Sequence, residues 1–174
     1  MSNQAKKLAV DEGHLPAPKR RIRVGFVGCG EVTQILHRPS LYQLSDHFEV
    51  TALCDISSAI LEQLGKLWSV RTLTTDHREL VARSDVDAVL VANPNAFHAE
   101  AALDAIAAGK HVLIEKPMCV TRREADQIVA AQKKCNVVVQ VGYMRRYAPA
   151  FLEACHMVKA MDEIKVARVR DFLG

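Results

Sequence analysis

Six short runs of branched apolar residues constrain this chain of 174 residues more than any other feature, because turn residues close them and helix-patterned stretches separate them. The runs are Ile22–Val27, Phe48–Cys54, a short segment around Leu73, Asp87–Ala92, His111–Ile114 and Val137–Val141. Their length and near-continuous apolar character predict strands buried on both faces. Between them, Glu31–Ser45 carries Val32, Ile35 and Leu36 as an apolar stripe, with Pro39 placed to kink or divide it. Ser57 or Ser58 can cap a helix over Ala59–Trp68, and Asp76 can open a short one through Arg83. Ala96–Ala108 is rich in alanine and stops at Gly109, a good residue for the left-handed turn after a helix. Thr121 and Glu124 have the spacing of a capping box, introducing a helix to about Lys134. Strands alternating with helices of this length predict an α/β fold with a doubly wound parallel sheet.

The domain plan follows from the same pattern. Residues 1–20 hold Pro16, Pro18 and few large apolar groups, and read as a disordered leader. Residues 21–147 read as the α/β domain. Residues 148–161 read as a linking helix, and 165–173 alternate like the first strand of a second α/β domain that the chain only begins.

The chemistry is concentrated where the strands end. Gly28-Cys29-Gly30-Glu31-Val32-Thr33 follows the first strand and opens the first helix, the place of a dinucleotide fingerprint in a Rossmann-type domain. The first glycine permits the tight turn, and the second lets backbone amides approach a pyrophosphate at the helix N-terminus. Thr33 departs from the Gly or Ala wanted at the third place. Cys29 lies inside the loop, where a helix N-terminus could lower its pKa, although the role of a small filler suits it better. Asp55 ends the second strand, where a carboxylate can accept hydrogen bonds from the adenosine ribose hydroxyls and so favours NAD. NADP stays open, because Ser57 and Ser58 could line a pocket for its 2′-phosphate. Asp55 as a helix cap is the plainer reading.

Three more polar clusters fall at equivalent places: Asn93-Pro94-Asn95, Glu115-Lys116-Pro117, and Gly142-Tyr143-Met144-Arg145-Arg146. Ligands of open α/β sheets bind at those strand ends. Lys116, just past a buried strand, can donate to a substrate oxygen or relay a proton. His98 stands near the start of the alanine-rich helix, either as a capping or packing residue or at the cofactor. His37, His47, His77, His111 and His156 read as structural or solvated.

Composition excludes other classes. The net charge is +3, and residues 1–23 contribute a local +4, so the body is near neutral and offers no footprint for nucleic acid. The five cysteines include no C-x-x-C pair, which suggests a reducing, cytoplasmic compartment with neither a zinc knuckle nor a disulfide framework. No apolar run approaches the length of a membrane span.

Taken together, these residues resemble the N-terminal half of the Gfo/Idh/MocA oxidoreductases, from about Arg21 to Phe151. The resemblance rests on Gly28-Cys29-Gly30, Asp55, Asn93-Pro94-Asn95-Ala96-Phe97-His98, Gly142–Tyr147 and, most specifically, the run from Gly109 to Pro117. It implies a nicotinamide-dependent oxidoreductase acting on sugars, polyols or related hydroxy compounds, with NAD, or alternatively NADP, as cofactor. Lys116 then matches the family's lysine beside the substrate hydroxyl. The cofactor contacts implied are Gly28, Cys29, Gly30, Glu31, Val32, Asp55, Asn93, Pro94, Asn95, His98, Glu115 and, less directly, Arg146, with no metal ion. The family's second domain carries an Asp-x-x-x-His segment facing the nicotinamide, and no such segment precedes Gly174. The chain is therefore expected to be the cofactor half, inactive alone, of a full-length form that assembles as a homo-oligomer. A non-enzymatic dinucleotide-binding sensor is the competing reading.

Overall fold

The computed structural model describes residues 19–166 and Arg168. All six apolar runs form strands: β1 (Ile22–Val27), β2 (Phe48–Cys54), β3 (Thr72–Thr74), β4 (Ala88–Val91), β5 (His111–Ile114) and β6 (Val139–Val141). They pair in parallel in the order β3-β2-β1-β4-β5-β6. The strand order reverses direction between β1 and β4, which opens a crevice at the carboxyl ends of those two strands. The described residues form six α-helices: α1 (Arg38–Gln43), α2 (Ser58–Trp68), α3 (His77–Val81), α4 (His98–Ala107), α5 (Arg122–Cys135) and α6 (Pro149–Lys159), the last with no buried residue.

Strand side chains alternate between two cores, as the twofold period of a strand requires. Val27, Val91 and Ile114 pack with Leu80, Ile106 and Ile128 from α3, α4 and α5. Phe26, Leu53 and Leu90 pack on the other face with Leu61 and Leu64 of α2. Ala99, Ala101, Ala102 and Ala105 are buried, so small side chains let α4 lie close against the sheet.

The caps foreseen in the sequence do form. Ser57 accepts from the Ile60 amide, Asp76 accepts from the Arg78 amide, and Thr121 and Glu124 complete a reciprocal capping box. Gly109, at φ +73°, closes α4, with the Lys110 amide donating to the Ala105 carbonyl at 2.9 Å. That backbone conformation is one that glycine adopts without strain.

Two elements differ from expectation. The first helix is divided at Pro39 as expected, but a π turn makes the break. Thr33–His37 forms a π-helical turn in which the Arg38 amide donates to the Thr33 carbonyl, and α1 comes next, with Pro39 in its first turn. Proline has no N–H for the ordinary i→i−4 bond at that point, so the ladder shifts there. The start of α4 is also later than expected, because Asn95–Phe97 forms a 3₁₀ turn first. Of the expected leader, Lys19 and Arg20 are described, and Arg20 donates to Asp87 at 2.7 Å. The expected strand over 165–173 lies mostly outside the described residues; Lys165 and Val166 are in no regular element.

Candidate active site

The glycine loop is held by its neighbours on both sides. Gly28 has φ +94°, and a Cβ placed there would lie 2.4 Å from the backbone nitrogen of Asn93. Glycine is therefore required twice over, for the turn and for the close approach to the end of β4. The Gly28 amide donates to the Cys54 carbonyl at 2.8 Å, and the Cys29 amide donates to Asp55 Oδ2 at 2.8 Å. Asp55 Oδ1 accepts from the Ser57 amide at 2.9 Å. Asp55 thus ties the end of β2 to the loop while each oxygen keeps a second lone pair for another donor.

Thr33, the departure from the glycine fingerprint, is fully buried and donates from Oγ1 to the Gly28 carbonyl at 2.7 Å. The larger residue fits because its hydroxyl bonds to the turn it packs beneath. The Cys29 side chain is also fully buried. Burial, and next the Asp55 carboxylate, push its thiol up to about 12, so the N-terminal turn produces no reactive thiolate. Cys29 is a filler whose backbone amide makes the contact with Asp55.

The remaining strand-end clusters join the same line of contacts. His98 is 1% exposed, with Nε2 2.7 Å from the Asn93 carbonyl and Nδ1 2.7 Å from the Pro117 carbonyl. His98, expected in packing or at the cofactor, is buried and bridges the loops after β4 and β5 through both ring nitrogens. Glu115 ends β5, with Oε1 2.8 Å from His37 Nε2 and Oε2 accepting from the Lys116 amide at 3.0 Å. Lys116 lines an open cleft of about 600 Å³ together with Gly142, Tyr143, Met144, Arg145, Arg146 and Phe151. Glu31, Val32, Pro94 and Asn95 lie exposed along the same edge. His37, read from the sequence as structural or solvated, is thus in contact with the site. The available signal was its position one turn beyond Thr33.

A dinucleotide fits this edge on two counts. A Cβ at Gly30 would meet nothing within 4 Å, so the loop faces clear space there, as the close approach of a pyrophosphate needs. Asn93 Oδ1 is buried and has no hydrogen-bond partner among the described residues, an acceptor suited to an amide or hydroxyl donor of a ligand. A separate trio, His77, Glu100 and Asp104, brings potential ligand atoms within 4.8 Å of one another on the outer surface. Arg78 already pairs with both acids there, at 2.6 Å and 3.3 Å.

Comparison with known proteins fixes the relationship. Residues 22–143 match the model of the Gfo/Idh/MocA family, described as an oxidoreductase family with an NAD-binding Rossmann fold. The chain belongs to this family. It is 36% identical over 134 residues to an inositol 2-dehydrogenase/D-chiro-inositol 3-dehydrogenase of Shouchella clausii, covering 76% of this chain and 38% of that protein. Scyllo-inositol dehydrogenase from Lactobacillus casei, solved with NAD(H) and scyllo-inositol, superposes with a TM-score of 0.75 at 28% identity, over 80% of this chain and 41% of the other. The Y186F mutant of KijD10, a 3-ketoreductase from Actinomadura kijaniata solved with TDP-benzene and NADP, gives a TM-score of 0.74 at 28% identity over 80% and 42%. The chain therefore spans about 40% of the length of these relatives, and that portion is the NAD-binding Rossmann domain of the family. No helix among the described residues is long and apolar enough to cross a membrane.

Proposed function

We propose that this Gfo/Idh/MocA domain binds NAD(H), with NADP(H) as the alternative, along the carboxyl ends of β1, β2, β4 and β5, and that the protein oxidises or reduces a sugar, polyol or related hydroxy compound in the adjoining cleft. The observation that carries the reading is the continuous line of contacts from Asp55 through Cys29 and Gly28 to Asn93, His98 and the Lys116 loop. Residues 21–147 act as the cofactor domain. Gly28, Cys29, Gly30, Glu31 and Val32 form the pyrophosphate turn, and Asp55 accepts from the adenosine ribose. Asn93, Pro94 and Asn95 border the nicotinamide ribose, Glu115 and His98 hold the neighbouring loop, and Arg146 lines the cleft. The bound nicotinamide supplies the hydride donor or acceptor. Lys116 carries the hydroxyl proton at Nζ, or holds the substrate oxygen while another group carries it.

The relatives named for inositols support a polyol as substrate. The free cysteines support a cytoplasmic location. Assembly as a homo-oligomer rests on the family resemblance. The test is calorimetric titration of the chain with NADH and NADPH. Asp55→Ala removes hydrogen bonds to a charged acceptor, so NADH affinity should fall about 10–100-fold. Equal affinity in the variant and the parent would take Asp55 out of the site.

A further inference from the structure

We infer that His37 is a positioning residue for Lys116, acting through the carboxylate of Glu115. The inference rests on the reading of Lys116 as the polar group beside the substrate. Lys116 is exposed and its side chain lines the cleft. What fixes it is its backbone, which is clamped from two sides. On one side its amide donates to Glu115 Oε2 at 3.0 Å. On the other, the carbonyl of the next residue, Pro117, is held by His98.

The first clamp works only if the Glu115 carboxylate is itself held in place. Among the described residues, His37 is the side chain that binds it, at 2.8 Å, and the two side chains are 16% and 17% exposed. A hydrogen bond so shielded from water is stronger than a surface ion pair of equal length. Two further elements fit this carboxylate position. The π-helical turn Thr33–His37 ends at His37, and an inserted residue rotates the next part of the chain by about 100° relative to a regular α-helix. That rotation belongs to the turn which sets the ring against β5. After β6, a Cβ at Gly142 would stand 3.1 Å from Glu115 Oε1, so glycine leaves the room that the carboxylate occupies. Two segments remote in sequence thus converge on one carboxylate, whose second oxygen meets the Lys116 amide. Tyr143, Arg145 and Arg146 line the same cleft as Lys116, while Arg38 stacks over Tyr42 and Trp68.

The experiment measures competitive amine labelling of the full chain as a function of pH, read by mass spectrometry as the ratio of Lys116 to the exposed Lys133. It uses His37→Leu, Glu115→Ala and the double variant, with thermal unfolding recorded for each. His37→Leu should change the labelling ratio about threefold or more, and Glu115→Ala should change it in kind. In the Glu115→Ala background, His37→Leu should add nothing, because the carboxylate it acts through is gone. Unchanged labelling in His37→Leu would overturn the inference, as would effects that add in the double variant. If His37→Leu loses its cooperative transition, His37→Asn takes its place in the cycle, being polar but too short to reach Glu115. NADH titration of the parent chain separates the two readings. Failure to bind would count against the cofactor site, whereas binding with an additive cycle would count against His37 alone.

Discussion

The two glycines of the loop look alike in the sequence and carry opposite consequences. At Gly28 an added Cβ meets the Asn93 nitrogen at 2.4 Å with φ at +94°, so both space and backbone conformation oppose it. Gly28→Ala should lower the unfolding free energy by about 2–4 kcal/mol, measured by urea denaturation. At Gly30 the added methyl meets nothing. Gly30→Ala should leave stability within about 0.5 kcal/mol and instead weaken NADH binding roughly tenfold, because the methyl enters the space a pyrophosphate would use. A variant pair with these effects exchanged would contradict the placement of the cofactor. The same distinction explains what could be read at the level of single residues. Gly28, Asp55 and Lys116 announce themselves through position relative to a strand end, which is local information. His98 and His37 do not, since their partners Pro117 and Glu115 lie 19 and 78 residues away in the chain.

At the scale of elements, the signals that held are those in which a few adjacent residues decide the outcome. All six runs became strands, and burial follows their place in the sheet: β1, β2, β4 and β5 hold the buried residues, whereas the edge strands β3 and β6, expected to be buried on both faces, have none. Ser57, Asp76 and Thr121 start their helices because each side chain accepts a hydrogen bond from an amide that the helix itself leaves unpaired. What escaped the sequence depends on tertiary contacts. Pro39 marks the division of the first helix locally, whereas the π turn ends at His37, whose ring meets Glu115, 78 residues away. The delayed start of α4 accompanies the His98 bridge, which holds Asn93 and Pro117 around a 3₁₀ turn. The capping box supplies a direct check. In α5 the Glu124 amide donates to Thr121 Oγ1 at 3.2 Å, and the Thr121 amide donates back to Glu124 Oε2 at 2.8 Å. Thr121→Ala should cost about 1 kcal/mol, seen as a lower urea midpoint at constant slope, with faster amide exchange in the first turn of α5. A midpoint equal to the parent's would mean that packing of Ile128 alone sets the stability of this helix.

The molecule as a whole keeps its chemistry at one end of the sheet and a charged anchor at the other. There Asp87, at the start of β4, receives Arg23 through the backbone amide at 3.0 Å and the guanidinium at 2.8 Å, and receives Arg20 at 2.7 Å. These bonds tie β1 to β4 at the ends remote from the cofactor crevice, and Lys110 adds bonds to the Arg83 and Val86 carbonyls beside them. The Arg23 hydrogen bond, against a smaller opposing cost of burial, holds the Asp87 carboxyl far below the usual carboxylate range. A carboxyl whose pKa is depressed by folding stabilises the native state above its unfolded pKa of about 3.9, and that contribution is lost as the pH falls toward the folded value. Stability should therefore decline steadily on acidification below about pH 4, while Asp87 is still ionised in the native state and already protonated in the unfolded one. Asp87→Asn should lower the unfolding free energy at neutral pH by about 1.5–3 kcal/mol, the range for hydrogen bonds to a charged group. The gap between parent and variant should then narrow as the pH is lowered, because only the parent loses the contribution. Urea denaturation of both proteins across the acidic range measures it. A gap that stays constant with pH would assign the loss to packing around Asp87 instead of its charge, and the anchor would then be steric. Because the anchor lies at the opposite end of β1 and β4 from Gly28 and Asn93, NADH affinity at neutral pH should be the same in both proteins wherever both are folded.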